Sequence, residues 1–259
     1  MAQVVLPSSK PSTAPSGHPA GEPLAQIPPS SPPVNPGADR IYAIIILGHP
    51  GAGKGTFAQS LKDKDITHLS IGDYLRSEFE RKTDIGLRWK AEVESKGILS
   101  IGVVKEVTIT LMEKISTSPP KVYLLDGHVR LLEQAQYMDE LFNKYKNILP
   151  IIIYIKADEA ACLERIPHRR TCAKCNTIYN LKFSPPKKEG ACDHCDGSLV
   201  QRNTDNTEMG KNRISTYGHH MYQTVEYYRG KNLLIEFDGN LSIQECTARY
   251  REFYSQAIK

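Results

Sequence analysis

The sequence lacks both a long apolar run and a cationic leader. Its longest apolar stretch, residues 41–47, has the length of a strand, whereas a membrane-spanning helix needs roughly 20 apolar residues. No arginine precedes Arg40, and no positively charged start is followed by an apolar block. These absences argue against a membrane protein, a secretory signal and a transit peptide, and we therefore expect a cytoplasmic protein.

A strong excess of one charge sign is also lacking. The 259 residues carry 33 Lys and Arg against 29 Asp and Glu, a net charge of +4. Because the basic residues are spread along the chain, we expect no nucleic-acid partner. Hydrophobic residues make up 40% of the chain, enough to bury the core of one large domain or two small ones.

Residues 1–39 lack aromatic side chains but hold ten of the 17 prolines, with many Ser, Ala and Gly residues. Such a segment cannot bury enough apolar surface to offset the entropy lost on ordering. We therefore predict a disordered, partly extended tail. Its Pro-Pro pairs would also suit a proline-binding module, although a plain tail is the preferred explanation of the composition.

From residue 40 onward, short β-branched runs alternate with helical patterns. Strands are predicted at residues 41–47, 67–70, 122–126, 150–156 and 233–237. Helices are predicted to end near 62, to span 73–82, 85–95, 133–146, 157–165, 207–228 and 242–257, and to include 104–115. This alternation predicts a doubly wound α/β fold: a parallel five-stranded sheet with helices on both faces. We expect Tyr217, Tyr222, Tyr227 and Tyr228 to pack the long helix against the core.

A glycine-rich segment, GHPGAGKGT at residues 48–56, follows the first predicted strand. Glycines let a backbone approach phosphates, whose charge is favoured at a helix N-terminus. Lys54 would reach the outer phosphates and Thr56 would hold a magnesium ion. The sequence therefore predicts a P-loop, the alternative being a glycine-rich turn with a surface lysine.

Four of the six cysteines form two Cys-x-x-Cys pairs: Cys172, Cys175, Cys192 and Cys195. Four thiolates at this spacing can close a tetrahedral zinc site with a structural role. Free thiols or disulfides are the alternatives, and His194 is a further candidate ligand. Cys162 and Cys246 stand alone and are predicted to be buried thiols, a usage that fits a reducing compartment.

Five blocks in order resemble the adenylate kinase family of nucleoside monophosphate kinases: residues 48–56, 69–78, 122–136, 164–170 and 201–213. The resemblance covers about residues 41–255. It implies a kinase domain at 40–259, with a core of 40–69, 102–166 and 203–259, a monophosphate-binding flap at 70–101 and a zinc lid at 167–202. It also implies a monomer that uses ATP, magnesium and a nucleoside monophosphate.

The resemblance assigns site residues in three groups. Those expected to bind ATP are Gly51, Ala52, Gly53, Lys54, Gly55, Thr56, Arg165, Arg169, Ile178 and Tyr179. Those expected to bind the acceptor are Arg76, Ile98, Leu99, Ser100, Gly127, Arg130, Gln134, Arg202 and Arg213. Those expected to act in catalysis are Lys54, Asp126, Arg130, Arg169, Arg202 and Arg213. Asp126 would orient magnesium through water, the alternative being a helix N-cap.

The chain departs from the family at several of these blocks. Ile71 replaces a threonine, His128-Val129 a Phe-Pro pair, His168 a glycine, Asn180 a histidine, Asn203 a lysine-like residue and Thr204 an aspartate. Three hypotheses follow: a kinase that converts ATP and AMP to two ADP, a kinase for another monophosphate, and a nucleotide-binding homologue with little turnover. A nucleic-acid-binding module built on the cysteine knuckles is a further alternative, but the segment lacks a recognition helix.

Overall fold

The structure, a computed structural model, describes residues 40–62, 64, 66–96, 99–119 and 121–258. The predicted tail at 1–39 and the predicted acceptor contact Ile98 lie outside these residues. None of the helices within the described ranges combines the length and hydropathy needed to cross a bilayer.

Five parallel strands form the central sheet, as the alternation of strands and helices predicted. The strands of the described chain are β1 (Ile41–Leu47), β2 (Ile66–Ser70), β3 (Val122–Asp126), β4 (Ile148–Lys156), β5 (Arg169–Cys172), β6 (Ile178–Asn180), β7 (Leu199–Val200) and β8 (Leu234–Asp238). The central sheet has the order β2-β3-β1-β4-β8. Every residue of β1 is buried, because this middle strand is covered on both faces.

Alternate residues of β1 enter two separate hydrophobic cores. Ile44 and Ile46 pack in one core with Phe57 and Tyr250. Ala43, Ile45 and Leu47 pack in the other, which includes Met112, Met138 and Tyr228. Since successive side chains of a strand point to opposite faces, this division places a helical layer on each side of the sheet.

Helices cover both faces and form the flap. They are α1 (Lys54–Ser60), α2 (Ile71–Glu80), α3 (Asp84–Lys96), α4 (Ile101–Ser116), α5 (Leu132–Lys144), α6 (Glu159–Arg165), α7 (Thr207–Gly230) and α8 (Ile243–Ala257). Helices α2 and α3 lie in the predicted flap, where Ile71, Leu75 and Val104 share a small buried cluster. A second, antiparallel sheet of order β6-β5-β7 lies in the predicted lid.

Most differences from the predicted boundaries have a local cause. Helix α2 begins at Ile71, two residues before the predicted start, because the Ser70 hydroxyl accepts a hydrogen bond from the Asp73 N–H and caps the helix. The prediction that Tyr222 packs against the core is wrong, since it is 65% exposed, whereas Tyr217 and Tyr228 are buried.

Candidate active site

The P-loop, residues 48–56, connects β1 to α1 at the carboxyl edge of the sheet. Gly53 has a φ of 113° and caps α1 in a left-handed conformation that favours glycine. Gly51 has a φ of 86°, and a Cβ there would lie 2.6 Å from the carbonyl oxygen of Cys162. The glycines therefore allow a turn that side chains would block, and the N-terminal amides of α1 are left free to bind an anion.

Lys54 folds back over this loop. Its Nζ donates to the carbonyl oxygens of Gly48 at 2.7 Å and of His49 at 2.9 Å. Burial lowers the Lys54 pKa to about 8, with nearby Asp126 opposing the change and Arg130 adding to it. The ammonium thus lies where the charge of a phosphate would stabilise it.

Asp126 ends β3 beside the P-loop and pairs in register with Ile46 of β1. Its Oδ2 lies 3.6 Å from Nε2 of His68 on β2. Burial acts to raise the Asp126 pKa, but the neighbouring His68 and the charge of Lys54 hold it well below the usual range. The N-cap of α5 is Leu131, so the described structure does not use Asp126 as the helix cap.

Two arginines from different elements reach the same cleft as Lys54. Arg130 precedes α5 and Arg213 lies on α7, and with Lys54 and Gly127 they line a cavity of about 30 Å³. Burial and the charge of Arg130 lower the Arg213 pKa to about 10. Nη1 of Arg213 is buried without a hydrogen-bond partner among the described residues. The cleft therefore gathers positive charge that an anionic ligand would neutralise.

A fully buried carboxylate, Asp205, holds the arginines that come from the lid and from α7. Arg169 contacts both of its oxygens, with Nε donating to Oδ2 at 2.7 Å. Nη1 of Arg213 lies 4.0 Å from Oδ1 of Asp205. Asp205 is the aspartate that remains beside Thr204, and it fixes two cationic groups at the cleft.

Asp73 joins the flap to the lid. In the first turn of α2 it forms an ion pair with Arg76 and lies 3.9 Å from Nη2 of Arg202. Burial lowers the Arg202 pKa, and the neighbouring Arg169 and Arg76 add to that effect. Two of the predicted acceptor-binding arginines, Arg76 and Arg202, are thus adjacent, although one comes from the predicted flap and the other from the predicted lid.

The predicted acceptor pocket lies around Gln134, at the start of α5. Its Oε1 accepts hydrogen bonds from the N–H groups of Arg130 at 2.8 Å and Leu131 at 3.1 Å, and its Nε2 donates to the Leu99 carbonyl at 3.4 Å. The Ser100 hydroxyl donates to Glu92 at 2.7 Å. Gln134 therefore positions Arg130 and links the core to the flap.

Ile71, at the start of α2, packs against the turn after β3. It is 1% exposed, and its Cγ2 would lie 3.1 Å from a Cβ built at Gly127, whose φ is 80°. The side chain at this departure from the family is thus an apolar contact between the flap and the turn after β3.

The lid brings its four cysteines together. The Sγ atoms of Cys172, Cys175, Cys192 and Cys195 lie within 4.8 Å of one another, and the metal-ligand cluster found among the described residues contains no histidine. The N–H groups of Lys174 and Cys175 point at Cys172 Sγ, at 3.4 and 3.5 Å. These four soft ligands fit a tetrahedral zinc ion, and four protein ligands leave the metal no open position for catalysis.

The remaining predicted ATP contacts differ in where their side chains lie. Nη1 of Arg165 donates to the Gly239 carbonyl at 2.7 Å and approaches that of Gly51 at 3.5 Å, beside the P-loop. Ile178 lies against Gly55. The side chain of Tyr179 is buried in the lid, where its hydroxyl accepts from the Asp193 N–H at 2.8 Å and lies 3.5 Å from Cys192 Sγ; its contact with ATP stays a prediction.

The structure therefore groups most predicted site residues in one cleft, while their roles stay predictions. Three contributors were missed: Asp73, His68 and Gln59, whose side-chain amide donates to the Ile178 carbonyl at 3.0 Å. Each acts on a residue distant in the chain or on the other side of the cleft. Only Asp73 had a local signal, a carboxylate three residues before Arg76 on a predicted helix.

Known proteins match this chain over most of its length. A family model described as adenylate kinase matches residues 46–233. A protein named adenylate kinase from Carboxydothermus hydrogenoformans is 38% identical over 208 residues, covering 79% of this chain and 95% of the relative. Adenylate kinases from Clostridium botulinum (strain Langeland) and Thermosipho melanesiensis are each 37% identical, over 78% and 77% of this chain respectively and 93% of each relative.

Proposed function

The chain belongs to the adenylate kinase family and is a nucleoside monophosphate kinase, and we propose that it transfers the terminal phosphoryl group of ATP in line to AMP, giving two ADP. The observation that carries this proposal is the convergence of Lys54, Arg130, Arg169 and Arg213 on one cleft beside a carboxylate, Asp126. Phosphoryl transfer asks a protein chiefly to position the two nucleotides and to neutralise the spreading negative charge.

The donor side follows from the P-loop. The amides of Gly51 to Thr56 and the ammonium of Lys54 bind the ATP phosphates, and Arg165 and Arg169 hold the nucleotide from the lid side. Asp126 and Thr56 offer hard oxygen ligands, and the low Asp126 pKa keeps the carboxylate ionised, so they fit a hydrated magnesium ion. Magnesium, when bound with ATP, neutralises phosphate charge there.

The acceptor side is built from arginines. Arg76, Arg130, Arg202 and Arg213 would bind the acceptor phosphate, because planar guanidinium groups pair well with phosphate oxygens. Leu99, Ser100, Gly127 and Gln134 would border the base, with Gln134 giving up its bond to Leu99 for the purine edge. We assign AMP on the basis of Gln134 and the named relatives.

The remaining features concern the surroundings of the reaction. The cysteine lid would hold structural zinc through Cys172, Cys175, Cys192 and Cys195, and because the lid has a very small core the metal would contribute much of its folding energy. We propose a monomer working in the cytoplasm, where a zinc thiolate cluster and free thiols are maintained. The proposal includes no nucleic-acid or membrane partner.

A steady-state assay tests the proposal directly. ATP and magnesium are supplied with AMP, CMP, UMP or GMP in turn, and product diphosphates are resolved by chromatography. We expect AMP to give the highest kcat/KM. Faster turnover of another monophosphate would reassign the acceptor, and turnover of none of the four would overturn the proposed reaction.

One observation favours a second candidate. Ile71 places an apolar side chain where the family has a hydroxyl, and Thr204 leaves Asp205 as the single aspartate that holds Arg169 and Arg213. Both changes bear on acceptor recognition and on arginine placement. A nucleotide-binding homologue with little turnover would bind a non-transferable ATP analogue tightly and yield negligible ADP in the same assay.

A further inference from the structure

Gly55 differs from the other glycines of the P-loop. Gly48, Gly51 and Gly53 have positive φ angles, but Gly55 does not, and it lies within α1. Glycine weakens a helix relative to alanine, so the backbone gives no reason for its presence there. The reason must lie in something that approaches the position closely, either the bound phosphates or a side chain of the protein.

The lid residue Ile178 packs against that position. A Cβ built on Gly55 would lie 2.5 Å from Cδ1, 3.7 Å from Cγ1 and 4.0 Å from Cβ of Ile178. The first distance is shorter than real carbon contacts, so an alanine would displace the end of this side chain. Gly55 therefore forms a notch into which Ile178 fits.

Two polar contacts extend the notch along the same direction. Nε2 of Gln59 donates to the Ile178 carbonyl at 3.0 Å, and Nζ of Lys62 lies 3.5 Å from Oγ1 of Thr177. Positions 55 and 59 have the i, i+4 spacing of one helix face, and Lys62 follows in the turn after α1. We call Gly55, Gln59 and Lys62 the docking face; it receives β6 and the residue before it.

Strand β6 is connected directly to the arginines of the lid. Ile178 pairs with Thr171, and Asn180 pairs with Arg169, across the antiparallel β5–β6 ladder. The Asn180 side chain also donates to the Arg165 carbonyl at 2.9 Å. Where β6 lies on α1 therefore bears directly on where Arg169 lies relative to the P-loop, whereas Arg165, at the end of α6, is linked to β6 only through the Asn180 side chain.

We propose that Ile178 is a positioning residue: by fitting into the Gly55 notch on the docking face, it sets the lid so that Arg169 meets the phosphates bound by the P-loop. The inference rests on the proposed function for the identity of those phosphates. It assigns Ile178 a role through α1, distinct from the contact with the ATP base that the family resemblance implies.

A double-mutant cycle distinguishes these two roles. The variants are Gly55→Ala, Ile178→Ala and the double variant, each assayed for the KM of ATP and of the acceptor. We expect Gly55→Ala to raise the KM of ATP about fivefold or more, because the added methyl displaces Ile178, with the acceptor KM within about twofold. In the Ile178→Ala background, where the notch is empty, we expect the same substitution to change the KM of ATP by less than about twofold.

The proposal is overturned if the effects of the two substitutions on the KM of ATP are additive. If Gly55→Ala costs the same factor with and without the Ile178 side chain, the methyl acts on the phosphates themselves and Ile178 acts separately. Zinc content is measured for each variant, so that a disrupted lid is recognised.

A second measurement does not depend on turnover. Hydrogen exchange of the 177–181 amides is followed with a saturating non-transferable ATP analogue, in Gln59→Ala and in the control Leu181→Ala. Leu181 is an exposed lid residue, whereas Gln59→Ala removes a hydrogen bond to Ile178. We expect exchange to accelerate about fivefold in Gln59→Ala and to stay unchanged in the control.

Unchanged exchange in Gln59→Ala would contradict the docking face even if the wild-type chain were an active kinase. Conversely, faster exchange with no turnover of any monophosphate would retain the docking face and overturn the proposed reaction. The two failures are therefore separable.

Discussion

The donor and acceptor sides of the cleft are held in place by different kinds of contact. On the donor side, Lys54 donates to carbonyl oxygens five and six residues earlier, and the turn is set by glycine backbone angles. On the acceptor side, Asp73 pairs with Arg76 and lies near Arg202, while Asp205 joins the acceptor-side Arg213 to Arg169 of the ATP side. One side is local and set by the backbone; the other is assembled from ion pairs between distant segments.

This difference has a consequence for ligand binding. A phosphate arriving at the P-loop meets a turn whose shape is already set, so little ordering free energy opposes binding. A phosphate arriving at the arginines must compete with Asp73, which holds Arg76 and lies near Arg202. Substitutions on the donor side should therefore lower mainly the rate of phosphoryl transfer and the binding of phosphate charge. Substitutions on the acceptor side should also lower the stability of the fold.

The largest effect is expected from Lys54→Met, which removes the donor-side cation. Loss of one group aimed at the developing charge should lower kcat about 10²- to 10³-fold. Stability should be retained, because the substitution replaces a buried ammonium with an apolar chain of similar length. Steady-state kinetics and urea unfolding check the two outcomes, with the exposed Lys211→Met as the control.

The pH dependence sharpens that test. Because burial lowers the Lys54 pKa to about 8 in the empty cleft, the ammonium loses its proton as the pH rises through that value. Affinity for a non-transferable ATP analogue should then fall above about pH 8 in the wild type and stay level in Lys54→Met. A parallel fall in both proteins would show that another group titrates.

The next largest effect is expected from Asp205→Asn, on the side built from ion pairs. Removing the shared carboxylate leaves Arg169 and Arg213 as neighbouring, largely buried cations, which should cost about 3 kcal/mol of unfolding free energy. The activity should fall as well, since the two guanidinium groups lose their common anchor. Urea unfolding measures the cost, and Glu189→Gln, an exposed lid carboxylate, should change stability by less than about 0.5 kcal/mol.

An Asp205→Asn variant as stable as the wild type would contradict the comparison between the two sides. The arginines would then be held by packing rather than by their carboxylate, and the cleft would be as pre-formed on the acceptor side as on the donor side.

The local half of the site and the sheet could be predicted from the sequence for physical reasons. The strand, turn and helix around residues 41–60 leave signals within a few residues: a β-branched run, glycines and a lysine. The cysteine spacing is equally local, and the four Sγ atoms do lie together. The order of arginine-containing blocks came from family resemblance and not from periodicity.

What escaped prediction depends on contacts between distant residues. The docking of Gln59 on Ile178 joins residues 119 positions apart, and nothing near either residue signals it. The Tyr179 side chain enters the cysteine cluster because its strand turns that face inward, a choice of face that three residues cannot specify. Tyr222 follows the helical pattern of its neighbours but lies on the exposed face of α7.

The smallest effect is expected from His128 and concerns the pH dependence of stability. This residue lies in the acceptor-side turn, in place of the aromatic residue of the family. The imidazole is 1% exposed, and its Nδ1 has no hydrogen-bond partner among the described residues. Burial lowers the His128 pKa to about 4, against the ordinary 6.5. Between these values the unfolded chain binds the proton that the folded chain refuses, so stability rises with pH across the window and is lost on acidification.

This buried histidine should therefore cost about 2 kcal/mol of unfolding free energy between pH 7.5 and pH 5. His128→Phe should remove that part of the acid sensitivity, because phenylalanine cannot accept a proton. The control His219→Phe, at an exposed position, should retain the acid sensitivity of the wild type. Urea unfolding at both pH values measures the difference. An equal loss of unfolding free energy in all three proteins would mean that other groups cause the acid sensitivity. The turn after β3 would then contribute no more pH dependence than apolar packing does.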